Sequence, residues 1–262
     1  MSNQPRDRTG RFGPTVHDIP QSAVPPEQVT PAPPRSARLD AVLRSAARLQ
    51  EVVPDAVLVG GTVSALYAGH RDSVDHDHVL ADLADRYAEV LEAVEATDGW
   101  ATSVRASRPP MTLMGSLGGI EAGLRQLRRT VPLETQLVEL PDGQTVRVPT
   151  ADEALRVKAY LIVQRNQVRD YLDVAALADR IGLDHAAQVL ADIDRFYDDR
   201  SGHPESVVSA LLPLLARQHP RDAVVTSQLA AYKGLAPRWT DWSETTAICG
   251  SLAERILAQT DA

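Results

Sequence analysis

Two aspartates one residue apart, Asp75 and Asp77, are the first feature of this chain that suggests chemistry. They close the stretch 58–80, LVGGTVSALYAGHRDSVDHDHVL. Side chains alternate along a strand, so residues i and i+2 share a face about 6.6–6.8 Å apart. Two carboxylates so placed supply the oxygen ligands that a hard divalent cation such as Mg²⁺ prefers. Upstream, an apolar run ends in Gly60-Gly61-Thr62. Backbone N–H groups there can approach a phosphate with no Cβ in the way. Such parts serve metal-assisted phosphoryl or nucleotidyl transfer. Each alone has a plainer reading, the glycines as an ordinary turn and the aspartates as a solvated strand end. The specific signal is the ordered combination of strand, Gly-Gly-Thr, helix, strand and Asp-x-Asp.

A second block, 153–180, reads EALRVKAYLIVQRNQVRDYLDVAALADR. Lys158 can set an ammonium against a triphosphate. Asp173 can orient Lys158 or accept a proton from an attacking hydroxyl. The plainer reading is a helix surface carrying ordinary ion pairs.

Together the two blocks resemble the AbiEii/AbiGii-type nucleotidyltransferases of the DNA polymerase β-like superfamily, many of which are toxins of type IV toxin–antitoxin systems. The resemblance rests on Gly60-Gly61-Thr62, Gly69-His70-Arg71, Ser73 and Asp75-His76-Asp77, then on Lys158, Arg165, Arg169, Asp170 and Asp173. It covers residues 56–180. It implies transfer of a nucleotidyl group from an NTP to a hydroxyl acceptor, a tRNA 3′ end or a protein, with Mg²⁺ or Mn²⁺ as cofactor. By the same resemblance Asp75 and Asp77 hold the metal. Gly60, Gly61, Thr62 and Lys158 hold the nucleotide, Lys158 and Asp173 belong to the catalytic set, and a cognate antitoxin is a partner. The chain departs from the pattern at Thr62, where many members carry serine, and at His76, where an apolar residue is usual. The superfamily's third metal-binding carboxylate has Glu121 as its candidate here, with Glu134 as runner-up.

Two other functions compete. A catalytically degenerate member of the same fold would bind a nucleotide or a partner without turnover. A metal-dependent hydrolase would draw its ligands from His70, Asp72, Asp75, His76, Asp77 and His78, since histidine and aspartate share transition-metal sites. On a strand, however, His76 and His78 point away from Asp75 and Asp77, so the four cannot meet one ion.

The elements that must position these residues read as a mixed α/β chain. A helix is expected over 36–50, strands over 56–59 and 75–80 with a short helix over 62–68 between them, and an amphipathic helix over 82–95. Strands follow at 101–106, 111–117 and 120–127. The segments 133–140 and 144–148 flank Pro141-Asp142-Gly143, a hairpin signal. Thr150 and Glu153 form a capping box that opens a helix to residue 164. Further helices are expected at 171–180, 185–197, 205–218, 221–231 and 242–259. The fold class is α/β (α+β): a small mixed sheet flanked by helices, then a helical region. The implied organisation is a Pro-rich tail over 1–34, a nucleotidyltransferase-like core over 35–150 and a helical domain over 151–262 that completes the active site. The tail holds eight of the 18 prolines with no apolar period, a composition that leaves it unable to offset its ordering entropy.

Three smaller features have two readings each. Arg125, Arg128, Arg129, Arg147 and Arg156 make either a phosphate-facing stripe for an RNA acceptor or a solvated strand end. Trp239 and Trp242 either pin the last helix on the core or stack on a base. Cys249 belongs to helix packing rather than catalysis.

Composition narrows the classes. The 262 residues carry 44% hydrophobic and 24% charged side chains, near the average for soluble globular chains. No run reaches the roughly 18 apolar residues of a membrane span, and no apolar signal core opens the chain, so a cytoplasmic location is expected. One cysteine excludes an internal disulfide and a four-ligand zinc site built on thiolates. A net charge of −8 argues against a non-specific nucleic-acid coat.

Overall fold

Ser36 starts the first helix by accepting the Leu39 N–H at 3.1 Å, which satisfies a donor the helix itself cannot. The structure, a computed structural model, describes residues 35–197, 206–232 and 234–260. The Pro-rich segment 1–34 lies outside them. Helix α1 (Ala37–Val52) buries Leu39, Val42, Leu43, Ala46 and Leu49 on one stripe. Then come β1 (Val57–Val59), α2 (Gly61–Ala68), β2 (Asp75–Leu80), α3 (Tyr87–Glu95), β3 (Trp100–Thr102), β4 (Thr112–Leu117) and β5 (Ile120–Gln126). They form a five-stranded sheet in the order β1-β2-β5-β4-β3. β2 and β5 run parallel, and the other neighbours are antiparallel. This is the small mixed sheet the sequence predicts. A separate hairpin, β6 (Thr135–Glu139) and β7 (Thr145–Pro149), turns through Gly143 at φ 83°.

Alternation along β2 gives the sheet two unlike faces. His76, His78 and Leu80 are buried and Asp75, Asp77 and Val79 are not fully so. Leu80, Leu113, Leu117, Ala122 and Leu124 build a core with Leu49 of α1 and Val90 and Val94 of α3. The opposite face carries Asp75 and Asp77.

Thr150 caps α4 (Ala151–Arg165), accepting the Glu153 N–H at 3.2 Å. α5 (Val168–Ile181), α6 (Leu183–Ala191), α7 (Val207–Ala216) and α8 (Trp242–Thr260) complete the helical half. One core joins the halves: Leu43, Leu58 and Leu66 pack in the same cluster as Leu155, Ile162, Leu172 and Leu252. Several expected boundaries move. The helix expected from 82 begins at Tyr87, because Arg86 folds back onto Asp82 and Asp55 and holds 82–86 in turns. The helix expected over 221–231 is a 3₁₀ segment, Ala223–Ala231, broken at Gln228. The helix expected over 185–197 stops at Ala191 and is followed by a 3₁₀ turn at Ile193–Arg195. No described helix is long and apolar enough to cross a membrane.

The histidine face predicts a pH dependence. His76 lies 3.0 Å from the Ser45 hydroxyl through Nε2, while its Nδ1 and both nitrogens of His78 have no partner. Burial pushes His76 down to about 4, against a smaller upward pull from Asp75, and holds His78 well below the usual imidazole value. The unfolded chain therefore binds more protons than the folded one below about pH 6.5, and stability rises with pH through that window. Full stability is expected above about 6.5, with a loss from His76 alone of roughly 3 kcal/mol as pH falls to 4. Urea midpoints between pH 4 and 8 measure this, and His78→Leu should flatten the slope. A flat wild-type profile between 4.5 and 7 would show that these rings are not buried neutral.

Candidate active site

β1 ends at Val59, whose cross-strand partner is Asp77. The chain then turns through Gly60 at φ 80° and ψ −152°, a left-handed conformation that glycine adopts without strain. A Cβ on Gly60 would sit 3.7 Å from Asp77 Oδ2, so this turn lies beside that carboxylate. Gly61 lacks a Cβ for a different reason: the Arg71 guanidinium packs where one would stand. α2 starts there, and its first N–H groups have no intrahelical acceptor. The Thr62 hydroxyl turns inward, donating to the Asp75 carbonyl at 2.6 Å and lying 2.8 Å from the Ser73 hydroxyl. The Thr62 hydroxyl is thus already engaged within the protein. Ser73 in turn donates to Asp75 Oδ1 at 3.3 Å.

Asp75 pairs with Glu121 and Asp77 with Gly123 across β2 and β5. Directly opposed residues share a face, so Glu121 stands beside Asp75. Asp77 Oδ1 lies 2.5 Å from where a Gly123 Cβ would be. The missing side chain is the space the carboxylate occupies. Arg125, exposed on β5, donates from Nε to the same oxygen at 3.3 Å. This oxygen-only donor set, on one face and open to solvent, fits a hard divalent cation. Among the described residues, no three His, Cys, Asp or Glu side chains are already gathered to hold a metal ion.

Behind the turn lies Asp173, fully buried on α5. Arg71 donates to it twice, Nε to Oδ1 at 2.8 Å and Nη2 to Oδ2 at 3.0 Å. Lys158 Nζ lies 2.6 Å from Oδ2 and His70 Nε2 lies 2.8 Å from Oδ1. Burial alone would raise this carboxyl, but the charges of Arg71 and Lys158 and the hydrogen bonds of His70 and Arg71 hold it well below the carboxylate range. Burial lowers His70 despite Asp173, and because a carboxylate only accepts, the ring donates to it from Nε2. The motif residues His70 and Arg71 and the second-block residues Lys158 and Asp173 thus meet in one network. Of the two roles open to Asp173 on sequence, the orienting one matches this geometry, because four donors already occupy its oxygens. Arg71 is the residue whose role the sequence reading missed. Its signal was a guanidinium next to a glycine-rich turn with a buried acid elsewhere to receive it.

Among solved structures, the chain is similar to MenT4, a nucleotidyltransferase toxin from Mycobacterium tuberculosis, with a TM-score of 0.52 and 19% identity over 86% of this chain and 83% of that one. The two share a fold. JHP933 from Helicobacter pylori aligns with a TM-score of 0.48 at 19% identity over 87% of this chain and 97% of its own. By sequence, the chain is 30% identical over 250 residues to the heme uptake protein MmpL11 of Mycobacterium tuberculosis, covering 92% of this chain and 25% of that protein. The chain thus spans about a quarter of the length of the curated relatives it matches. No family model matches.

Other expected site residues lie elsewhere. The hydrolase set does not assemble: His76 and His78 are buried on the far face, His70 faces Asp173, and Asp72 accepts from Ser36 at 3.0 Å. Glu134 pairs with Arg156 rather than approaching Asp75. The arginine stripe does not form either. Arg129 and Arg156 are buried against Glu153, at 2.7 Å and 3.7 Å, with Arg156 3.8 Å above the Phe196 ring. Arg165 and Asp170 form an ordinary ion pair, bidentate at 2.7 and 2.6 Å. Trp239 is buried, edge-on to His70 at 6.2 Å, and the partly buried Trp242 meets Tyr171 at 6.1 Å; both tryptophans pack on the core. Cys249 is buried, its thiol pushed up to about 12 by desolvation, which suits packing.

Proposed function

We propose that the protein is a nucleotidyltransferase that moves a nucleotidyl group from an NTP to a hydroxyl acceptor. One observation carries this reading: the Gly60-Gly61 turn, the Asp75–Asp77 pair and the Asp173-centred cluster, drawn from segments about a hundred residues apart, converge on one edge of the sheet. Asp75 and Asp77 would hold Mg²⁺ or Mn²⁺, with Glu121 as the third carboxylate of that face. When bound, the metal would neutralise phosphate charge and polarise the phosphoryl oxygens. The N–H groups that open α2 would receive the β and γ phosphates, as helix N-termini do. Arg71, packed on Gly61, and Lys158 would add positive charge there, both held in place by Asp173. The acceptor oxygen would form its bond to the α-phosphorus as the bond to the β-bridging oxygen breaks. Pyrophosphate leaves, and the hydroxyl proton departs toward the solvent-open carboxylate face.

The resemblance and the MenT4-like fold favour a toxin role with a cognate antitoxin, a tRNA 3′ end or a protein hydroxyl as acceptor, and work in the cytoplasm, where NTPs are supplied. On this reading residues 151–262 complete the site by bringing Lys158 and Asp173. Incubation with each α-phosphate-labelled NTP, Mg²⁺ and total cellular RNA or protein tests the proposal, and a labelled acceptor is the expected product. Nucleotide binding with no product across all acceptors would instead support the degenerate binding module.

A further inference from the structure

Beyond Asp77 on its own face, β2 continues to Val79, one two-residue step or about 6.6–6.8 Å away. There the sheet opens into a cavity of about 150 Å³. Its lining includes Val59 and Val79 of the sheet, Leu127 and Leu133, and Tyr160 and Leu161 of α4. Val59 is also the cross-strand partner of Asp77, so the cavity begins at the residue pair that bears the carboxylate. The helix that lines it is the one that delivers Lys158: Val157, Tyr160 and Leu161 form an i, i+3, i+4 stripe, and Lys158 turns from that stripe to Asp173. Tyr160 is fixed by stacking on Tyr197, with centroids 4.0 Å apart. Arg129 is tied to Glu153 and to the Val131 and Pro132 carbonyls. Arg128, exposed at the rim, is the lining cation with no such partner among the described residues.

We infer that this cavity takes the nucleobase of the NTP, and that it favours a single-ring base. The inference rests on the nucleotidyltransferase reading and names the substrate class of that site. A base has two apolar π faces and a polar edge. The cavity offers aliphatic walls, one clamped aromatic ring and one guanidinium, the composition that buries the faces and leaves the edge a donor. With the α-phosphate at the Asp75–Asp77 face, one ribose spans the step to Val79. A cavity of about 150 Å³ admits one benzene-sized ring, so a fused purine would project further from it than cytosine or uracil would.

Equilibrium binding to the full chain in Mg²⁺ tests this, with UTP, CTP, ATP, GTP and inorganic tripolyphosphate as probes. UTP and CTP are expected to bind about tenfold or more tightly than tripolyphosphate, and more tightly than the purine nucleotides. Leu133→Trp, which fills the cavity from a loop, should bring UTP down to the tripolyphosphate level and leave tripolyphosphate unchanged. Arg128→Gln, at an exposed position that does not bear on folding, should weaken UTP alone. If UTP binds no better than tripolyphosphate, or if Leu133→Trp and Arg128→Gln both leave UTP affinity unchanged, the cavity is not the base site although the transferase reading stands. Purine nucleotides binding as tightly as UTP would remove the single-ring selectivity. If neither UTP nor tripolyphosphate binds, the transferase reading fails and this inference fails with it.

Discussion

Asp173→Ala should lower the unfolding free energy by about 3–5 kcal/mol, the cost of breaking a buried pair by removing one partner. Stabilities of roughly 5–15 kcal/mol are ordinary, so the variant would sit near the edge of folding. The reason is an imbalance of donors. Arg71, Lys158 and His70 all converge on this carboxylate inside the protein, and each is itself buried. Without it, a guanidinium and an ammonium lose both their counter-charge and their hydrogen-bond acceptor. Asp173→Asn keeps the shape but turns an amide donor toward donors, so it should do little better. Removing one stranded cation should help: Lys158→Met in the Asp173→Asn background should recover part of the loss, although Lys158→Met alone destabilises. Urea denaturation of the four proteins at pH 7 gives the cycle. A loss under about 1 kcal/mol for Asp173→Ala would mean that water reaches the cluster and that Asp173 does not hold it. The carboxylate's own pH contribution lies in a separate window from that of the histidines. Its lowered pKa gives stability that is present above about pH 4 and is lost only as pH falls further.

Local signals in the sequence were read well and long-range pairings poorly. β2 has the predicted bounds, 75–80, because strict alternation leaves one choice of period and the neighbouring residues give it clear ends. The Thr150 capping box opens α4 as expected, since the cap depends only on residues three apart. The placement of Asp75 and Asp77 on one face, with His76 and His78 on the other, follows from the same period of two. What stayed hidden depends on partners distant in the chain. Arg129 and Arg156 look like surface charges until Glu153 and the Phe196 and Tyr197 rings close over them. Arg71 looks like one more basic residue until Asp173, 102 positions away, takes its fork. Thr62 reads as a phosphate-binding hydroxyl, and only the position of the Asp75 carbonyl shows that it also braces the strand. Gly61 reads as a place where a phosphate can approach the backbone, and Gly123 carries no signal in the sequence. The structure shows that each makes room, one for the Arg71 guanidinium and the other for the Asp77 carboxylate.

Asp75→Ala and Asp77→Ala should each reduce Mg²⁺-dependent transfer by roughly a thousandfold or more, since a metal ligand carries several kcal/mol of transition-state stabilisation. The fold should not notice. Asp77 has an exposed ion pair with Arg125, of a kind worth about 0–1 kcal/mol, and Asp75 accepts one long hydrogen bond from Ser73. Without metal the two carboxylates repel across one strand step, so losing one can even stabilise slightly. Thermal midpoints within a few degrees of wild type are therefore expected. That result separates a lost ligand from a lost structure, which Asp173 substitutions cannot do. Asp77→Asn sharpens the test, because it keeps the volume fitted against Gly123 and removes only the charge. Activity should fall as far as in the alanine variant and return in part at high Mg²⁺ or Mn²⁺, because one carboxylate of the pair remains. Arg125→Gln makes the opposite change: it frees Asp77 Oδ1 of a competing cation, so half-saturating Mg²⁺ should fall. Wild-type transfer in Asp77→Asn, with Mg²⁺ dependence unaltered in Arg125→Gln, would place the metal away from this face and leave Asp77 as a partner of Arg125 and the Gly60 turn.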